Sequence, residues 1–192
     1  MAIPQDDLPI KAFKTSELFE AWVAKNAEGK GIWLRVYKKD SGKPSITITE
    51  ALDVALCYGW IDGQRNKYDE ESYIQKYTTR RPKSLWSKKN IENTERLIKA
   101  GRMTARGLKE IEAAKADGRW AAAYDSPANS QIPEDFLKAV KKNKAAWTLF
   151  QTLNKTNLFA ISWRLQTAKK PETREKRMQA IIAMLEKGKK FH

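Results

Sequence analysis

The chain has little of what most catalytic templates need. Its 192 residues include one histidine, His192, and one cysteine, Cys57. A Ser-His-Asp triad, a Cys-His pair or a histidine-ligated zinc site needs an imidazole placed by the fold, and the sole histidine stands last in the sequence. A lone thiol excludes an internal disulfide, and with no histidine or second cysteine nearby Cys57 reads as an inert buried thiol. Gly42-Lys43 lacks the upstream glycine and the following Ser or Thr of a phosphate-binding loop, and no dinucleotide glycine fingerprint occurs. Neither a metal nor a common cofactor is therefore expected. No apolar run approaches the roughly 20 residues of a membrane helix. The start Met1-Ala-Ile-Pro-Gln-Asp-Asp has neither a basic leader nor an apolar stretch, so the expected location is the cytoplasm, without membrane insertion.

Positive charge is abundant and unevenly spread. The net charge is +14, and from Phe136 to His192 14 Lys and Arg stand against 3 Glu, which leaves +11 in that stretch. Two readings fit: a solvated basic face on a helical subdomain, or attraction to an acidic partner, nonspecific nucleic acid included. No recognised nucleic-acid module accompanies the charge.

Along the chain, Leu18, Phe19, Trp22 and Val23 follow helical spacing after Thr15 or Ser16 as cap. Ile32 to Lys38 alternates as a strand. Thr47 and Glu50 have the spacing of a capping box ahead of Ala51-Leu52 and Val54-Ala55-Leu56, and Gly59 marks that helix's end. Trp60 to Tyr68 and Ser72 to Thr79 read as two further strands joined through Asp69-Glu-Glu71. Helices then follow: Glu92 to Ala100, one capped by Thr104, one opened by Pro133, Lys144 to Leu153 capped by Asn143, Asn157 to Lys169 capped by Thr156, and one started by Pro171. The expected fold class is α+β, a small three-stranded antiparallel sheet with flanking helices followed by a helical subdomain. The expected domains are 1–125 and 132–192, with 126–131, rich in Ser, Pro and Asn, as linker.

The densest chemistry lies between Ala51 and Asn90. Asp62 stands between Gly59 and Gly63, the latter read as a tight bend or close backbone approach, and Arg80, Arg81 and Lys83 surround Pro82, with Ser84, Ser87 and Asn90 following. Guanidinium forks beside hydroxyls and an amide suit a phosphate or carboxylate, so these seven residues form the candidate anion site. The alternative is structural: Asp62 pairs with Arg80 or Arg81 and clamps the loop to the sheet. Trp60 and Trp86 face the same choice between a ligand platform and the core. Three functions remain open. One is a binding protein for an anionic small molecule or an acidic protein partner, another is nonspecific nucleic-acid binding through the C-terminal helices, and the third is an enzyme on a phosphorylated or carboxylated substrate with Asp62 as base. No catalytic constellation is complete, which leans away from the third.

Several motifs carry a resemblance. Ala55-Leu-Cys-Tyr-Gly-Trp-Ile-Asp-Gly-Gln64, Arg80-Arg-Pro-Lys-Ser-Leu-Trp-Ser-Lys-Lys-Asn90, Gly101-Arg-Met-Thr104, Asp117-Gly-Arg-Trp120 and Glu172-Thr-Arg-Glu-Lys-Arg177 occur in this order. Together they resemble the YdeI/OmpD-associated family of bacteriocin-protection proteins. One departure is Thr79, where such proteins usually have Pro before the Arg-Arg pair. The resemblance implies a role in stress and in tolerance of antibacterial peptides, linked indirectly to the bacterial envelope, and no defined reaction.

Overall fold

The computed structural model describes residues 6–192, so Met1 to Gln5, on which the expected absence of a leader partly rests, lie outside the described residues. The chain divides into two compact units. Unit 1 holds the described residues up to Trp86 together with Asn90–Ala122, and unit 2 holds Ser87–Lys89 and Ala123–His192.

Unit 1 is built on a sheet of strands β1 (Ile10–Ala12), β2 (Ile32–Tyr37), β3 (Trp60–Lys67) and β4 (Ser72–Thr79), in the order β1-β2-β4-β3. The α+β class stands, but the expectation of three antiparallel strands is corrected to four in a mixed sheet, because β1 pairs parallel with β2. Three residues centred on a lysine show no alternation long enough to read. Their strand character comes from the ladder alone, where Ile10 lies opposite Trp33 and the Trp33 amide donates to the Pro9 carbonyl at 2.9 Å. The other pairs are antiparallel, as the four-residue link between β3 and β4, Tyr68 to Glu71, requires.

Alternation sorts the sheet's two faces. Ile32, Leu34 and Val36 lie opposite Tyr77, Gln75 and Tyr73, and Ile32, Leu34, Val36 and Tyr77 join Phe19, Val23, Val54 and Trp60 in one core. Helices α1 (Ser16–Lys25) and α2 (Ile48–Cys57) cover that face. The capping box at the start of α2 forms as read: the Thr47 amide donates to Glu50 Oε2 at 2.8 Å and the Glu50 amide to Thr47 Oγ1 at 3.2 Å. The opposite face carries Trp33, Arg35 and Lys76, where Asp6 accepts from Trp33 Nε1 at 2.7 Å and pairs with Lys76.

Helices α3 (Lys88–Lys99) and α4 (Ala105–Ala116) follow. Cys57, the last residue of α2, presents its carbonyl to the start of α4, where the Thr104 amide and hydroxyl both donate to it, at 3.2 and 2.6 Å. Gly107 permits this approach, since a Cβ there would stand 2.4 Å from the same carbonyl oxygen. Cys57 itself is fully buried, and desolvation pushes its thiol up to about 11, in keeping with an unreactive core residue.

Unit 2 packs α5 (Glu134–Lys141), α6 (Lys144–Phe150), α7 (Lys155–Gln166) and α8 (Pro171–Glu186) around Phe136, Val140, Ile161, Leu165, Ile181 and Leu185. Asn143 caps α6 through the Ala146 amide at 3.0 Å. The cap of α7 is Asn154 rather than Thr156, its Oδ1 accepting from the Asn157 amide at 3.0 Å. Both are good capping types, and the earlier one wins because Lys155 already has helical geometry.

Candidate functional site

The loop leaving β4 separates its cations by conformation. Ser84 donates its amide to the Arg81 carbonyl at 3.0 Å, while its hydroxyl accepts from the Arg81 amide at 3.1 Å. Pro82 takes the second position of this turn and Lys83, with φ of 66°, the third, which is the signature of a type II turn. Glycine or asparagine usually fills that left-handed position, so a lysine there costs about 1 kcal/mol or more of backbone strain. Arg81, Pro82 and Lys83 are exposed as a result.

Arg80 turns the other way. It is 6% exposed, its guanidinium lies 3.6 Å from the centre of the Trp86 ring, and its Nη1 donates to the Leu85 carbonyl at 3.3 Å. Trp86 in turn packs on Trp120 at 4.9 Å. Arg119, also buried, grips both Asp117 carboxylate oxygens through Nε and donates from Nη1 to the Ser84 carbonyl at 2.9 Å. The Arg-Arg-Pro-Lys-Ser-Leu-Trp and Asp-Gly-Arg-Trp motifs thus interlock in unit 1. Arg119 and Trp120 are functional-looking residues that sequence reasoning left out of the site; their signal was a buried type, Trp, beside a cation.

Asp62 lies elsewhere on the sheet. It stands opposite Tyr77 on the core-facing side of edge strand β3, beside a bulge between Asp62 and Arg65. Gly63 sits in that bulge, and a Cβ there would meet only ordinary contacts, the nearest 3.6 Å away, so no close approach demands glycine. Asp62 makes no ion pair among the described residues, neither with Arg80 nor with Arg81 or Lys83. Its residue surface is open, yet the atoms crowding its inner side desolvate the carboxyl and push it above the ordinary value; its own amide, Arg80 and Arg65 pull less strongly the other way. Arg65 is committed to Gln75, donating from Nε to Oε1 at 2.9 Å, and Gln75 donates to the Gly63 carbonyl at 2.7 Å.

The remaining sequence candidates are dispersed. Trp60 is fully buried, with Nε1 donating to the Ala27 carbonyl at 3.2 Å, and Trp86 is 2% exposed, so neither ring offers an open face. Asn90 is buried at the start of α3 in unit 1, and Ser87 belongs to unit 2, where it bridges Tyr124.

Arg81 does reach a concave surface. With Lys30, Lys76, Thr78, Thr79 and Asp6 it lines a cleft of about 430 Å³ on the sheet face opposite the core, and Asp7 also borders it. Asp6 is already held by Lys76 and Trp33, an engagement that keeps its carboxyl below the ordinary value through the Lys76 and Trp33 hydrogen bonds. Arg81 and Lys30 have no carboxylate partner among the described residues. Strand alternation carried the signal for Lys76 and Thr78, which share a face; Lys30 gave none.

Two family models match the chain. One, described as a domain of unknown function (DUF8412), covers residues 11–110, and the other, "Bacteriocin-protection, YdeI or OmpD-Associated", covers residues 129–188. No curated protein and no solved structure matches significantly. Of the motifs that carry the resemblance, Glu172 to Arg177 lies in the second match, those from Ala55 to Thr104 lie in the first, and Asp117 to Trp120 lies in neither. The first model spans 100 of 192 residues, so the chain belongs to the DUF8412 family and carries a YdeI/OmpD-associated segment over residues 129–188.

Proposed function

We propose that the chain is a binding protein whose unit 1 captures a small anion, a phosphate or carboxylate on a polar body, through Arg81 and Lys30. The observation that supports this reading is the uneven pairing within one cleft: Asp6 is satisfied by Lys76 and Trp33, while Arg81 and Lys30 form no ion pair among the described residues, Asp7 at the cleft's border included. Thr78 and Thr79 add hydroxyl donors, and the strained Lys83 turn holds Arg81 outward. Of the seven sequence candidates, Arg81 is the ligand contact; Lys83 and Ser84 shape the turn, and Arg80 packs on Trp86. The description of residues 129–188 names bacteriocin protection, and we set that role, as a stress response, in the bacterial cytoplasm. A chain of net charge +14 repels cationic peptides, so tolerance would run through the anionic ligand rather than through capture of the peptide.

Thermal unfolding with inorganic phosphate, nucleotides and dicarboxylates tests the proposal. A ligand at a hundredfold excess over its Kd stabilises by about 2.7 kcal/mol. Arg81→Ala and Lys30→Ala should each remove the shift while leaving the unliganded midpoint in place. A panel in which no anion stabilises the wild-type chain overturns the reading.

A further inference from the structure

A second cavity, of about 400 Å³, lies wholly within unit 2, between Trp163 and Arg164 of α7, Arg177, Ile181 and Met184 of α8, and Phe191. That volume falls in the range of about 300–1,000 Å³ typical of small-molecule sites. Its wall at Phe191 is tied down: the Asn157 side-chain carbonyl, almost fully buried, accepts from the Phe191 and His192 amides at 3.0 and 3.1 Å. Tryptophan, isoleucine, methionine and phenylalanine side chains supply an apolar lining, and no acidic residue among the described residues lines it.

The two arginines are out of keeping with such a lining. Arg177 Nη1 donates to the Arg164 carbonyl at 2.7 Å and to Thr167 Oγ1 at 3.2 Å. Arg164 Nη1 donates to the Ala160 carbonyl at 3.1 Å, and its guanidinium lies 3.8 Å from the centre of the Phe191 ring. Neither meets a carboxylate among the described residues, and each half-buried guanidinium keeps N–H donors beyond those used. An uncompensated cation beside apolar walls favours a ligand that brings its own negative charge and its own apolar surface.

We propose that this cavity binds an amphipathic monocarboxylate, a short fatty or aryl-substituted acid, with the carboxylate on Arg177 and Arg164 and the apolar body against Trp163, Ile181, Met184 and Phe191. A planar, singly charged carboxylate matches a guanidinium fork, and the apolar walls would leave a larger polar anion poorly solvated.

Calorimetric titration of the full chain with octanoate, 1-octanol and octylammonium tests this. Octanoate should bind at least tenfold more tightly than octanol, and octylammonium should not bind. Arg177→Gln and Arg164→Gln should each weaken octanoate several-fold and bring it toward octanol. Ala180→Trp, at an exposed position of α8 that borders the cavity, should fill it and abolish binding with the helical circular dichroism retained. Arg81→Ala should leave octanoate binding unchanged, which keeps this site separable from the cleft of unit 1. Equal affinity for octanoate and octanol, no octanoate binding at millimolar concentration, or a folded Ala180→Trp that still binds would each overturn the proposal. If Ala180→Trp does not fold, the ligand series and the two arginine variants decide it alone.

Discussion

Gly107→Ala separates local propensity from tertiary contact, because the two predict opposite signs. Gly107 is the third residue of α4, and on propensity alone alanine would stabilise that helix by up to about 1 kcal/mol. In the fold, the new Cβ would stand 2.4 Å from the Cys57 carbonyl oxygen, 2.9 Å from the Leu56 carbonyl oxygen and 2.6 Å from Met103 Cε. The methionine end can swing away, but the two carbonyls are backbone at the end of α2 and cannot. Relief requires α4 to withdraw by roughly an ångström, at an overpacking cost of about 1–3 kcal/mol. Withdrawal also loosens the two hydrogen bonds from Thr104 to Cys57, worth about 1 kcal/mol each. Set against the propensity gain, the net loss is about 3 kcal/mol, a fall of about 6–12 °C in Tm. Urea unfolding followed by circular dichroism and by tryptophan fluorescence measures it. Ala113→Gly, at an exposed site of the same helix, serves as the control and should cost only about 1 kcal/mol. A Gly107→Ala chain as stable as wild type, or more so, would refute the steric argument.

Other expectations concern the two loops and the caps. Asp62→Asn should raise stability at neutral pH. The folded carboxyl titrates above its ordinary value of 3.8, so ionisation is penalised as pH rises through that window, and the benefit of asparagine should vanish below about pH 3.8 in a pH series of midpoints. Arg80→Met should lower stability by about 1–2 kcal/mol through loss of the stack on Trp86, seen as a lower denaturant midpoint with no change in anion binding. Thr47→Ala should cost about 1 kcal/mol by opening the capping box of α2, and Thr47→Ser should restore most of it in the same assay. Any retention on DNA through the C-terminal basic residues should collapse between about 50 and 200 mM salt; binding that survives would contradict a purely electrostatic origin.

Much of the fold was legible because it is written in short-range chemistry. The alternation of Ile32, Leu34 and Val36, the Thr47 and Glu50 spacing, the caps at Thr104 and Asn143, and Pro171 at a helix start all act within a few residues, so the chain announces them locally. The two stretches around Asp62 and Arg80 were also recognisable, since their dense cations, tryptophans and glycines are unusual in any local window. What local sequence could not decide was which of these side chains share a place. Strand β1 exists only as a partner of β2, and three residues carry too little pattern to reveal it. Arg80 and Arg81 are neighbours in sequence, yet one lies buried on Trp86 and the other in an open cleft, because the turn at Lys83 reverses the chain between them and Trp86. Asp62 forms no ion pair among the described residues because its register on β3 sets it opposite Tyr77, where Arg80 and Arg65 exert only a weaker pull than desolvation. Lys30 joins Arg81 only through the pairing of strands distant in sequence. Side-chain type and local period belong to the sequence, whereas the company each charge keeps depends on contacts between distant segments, whose free energy is settled only when the whole core forms.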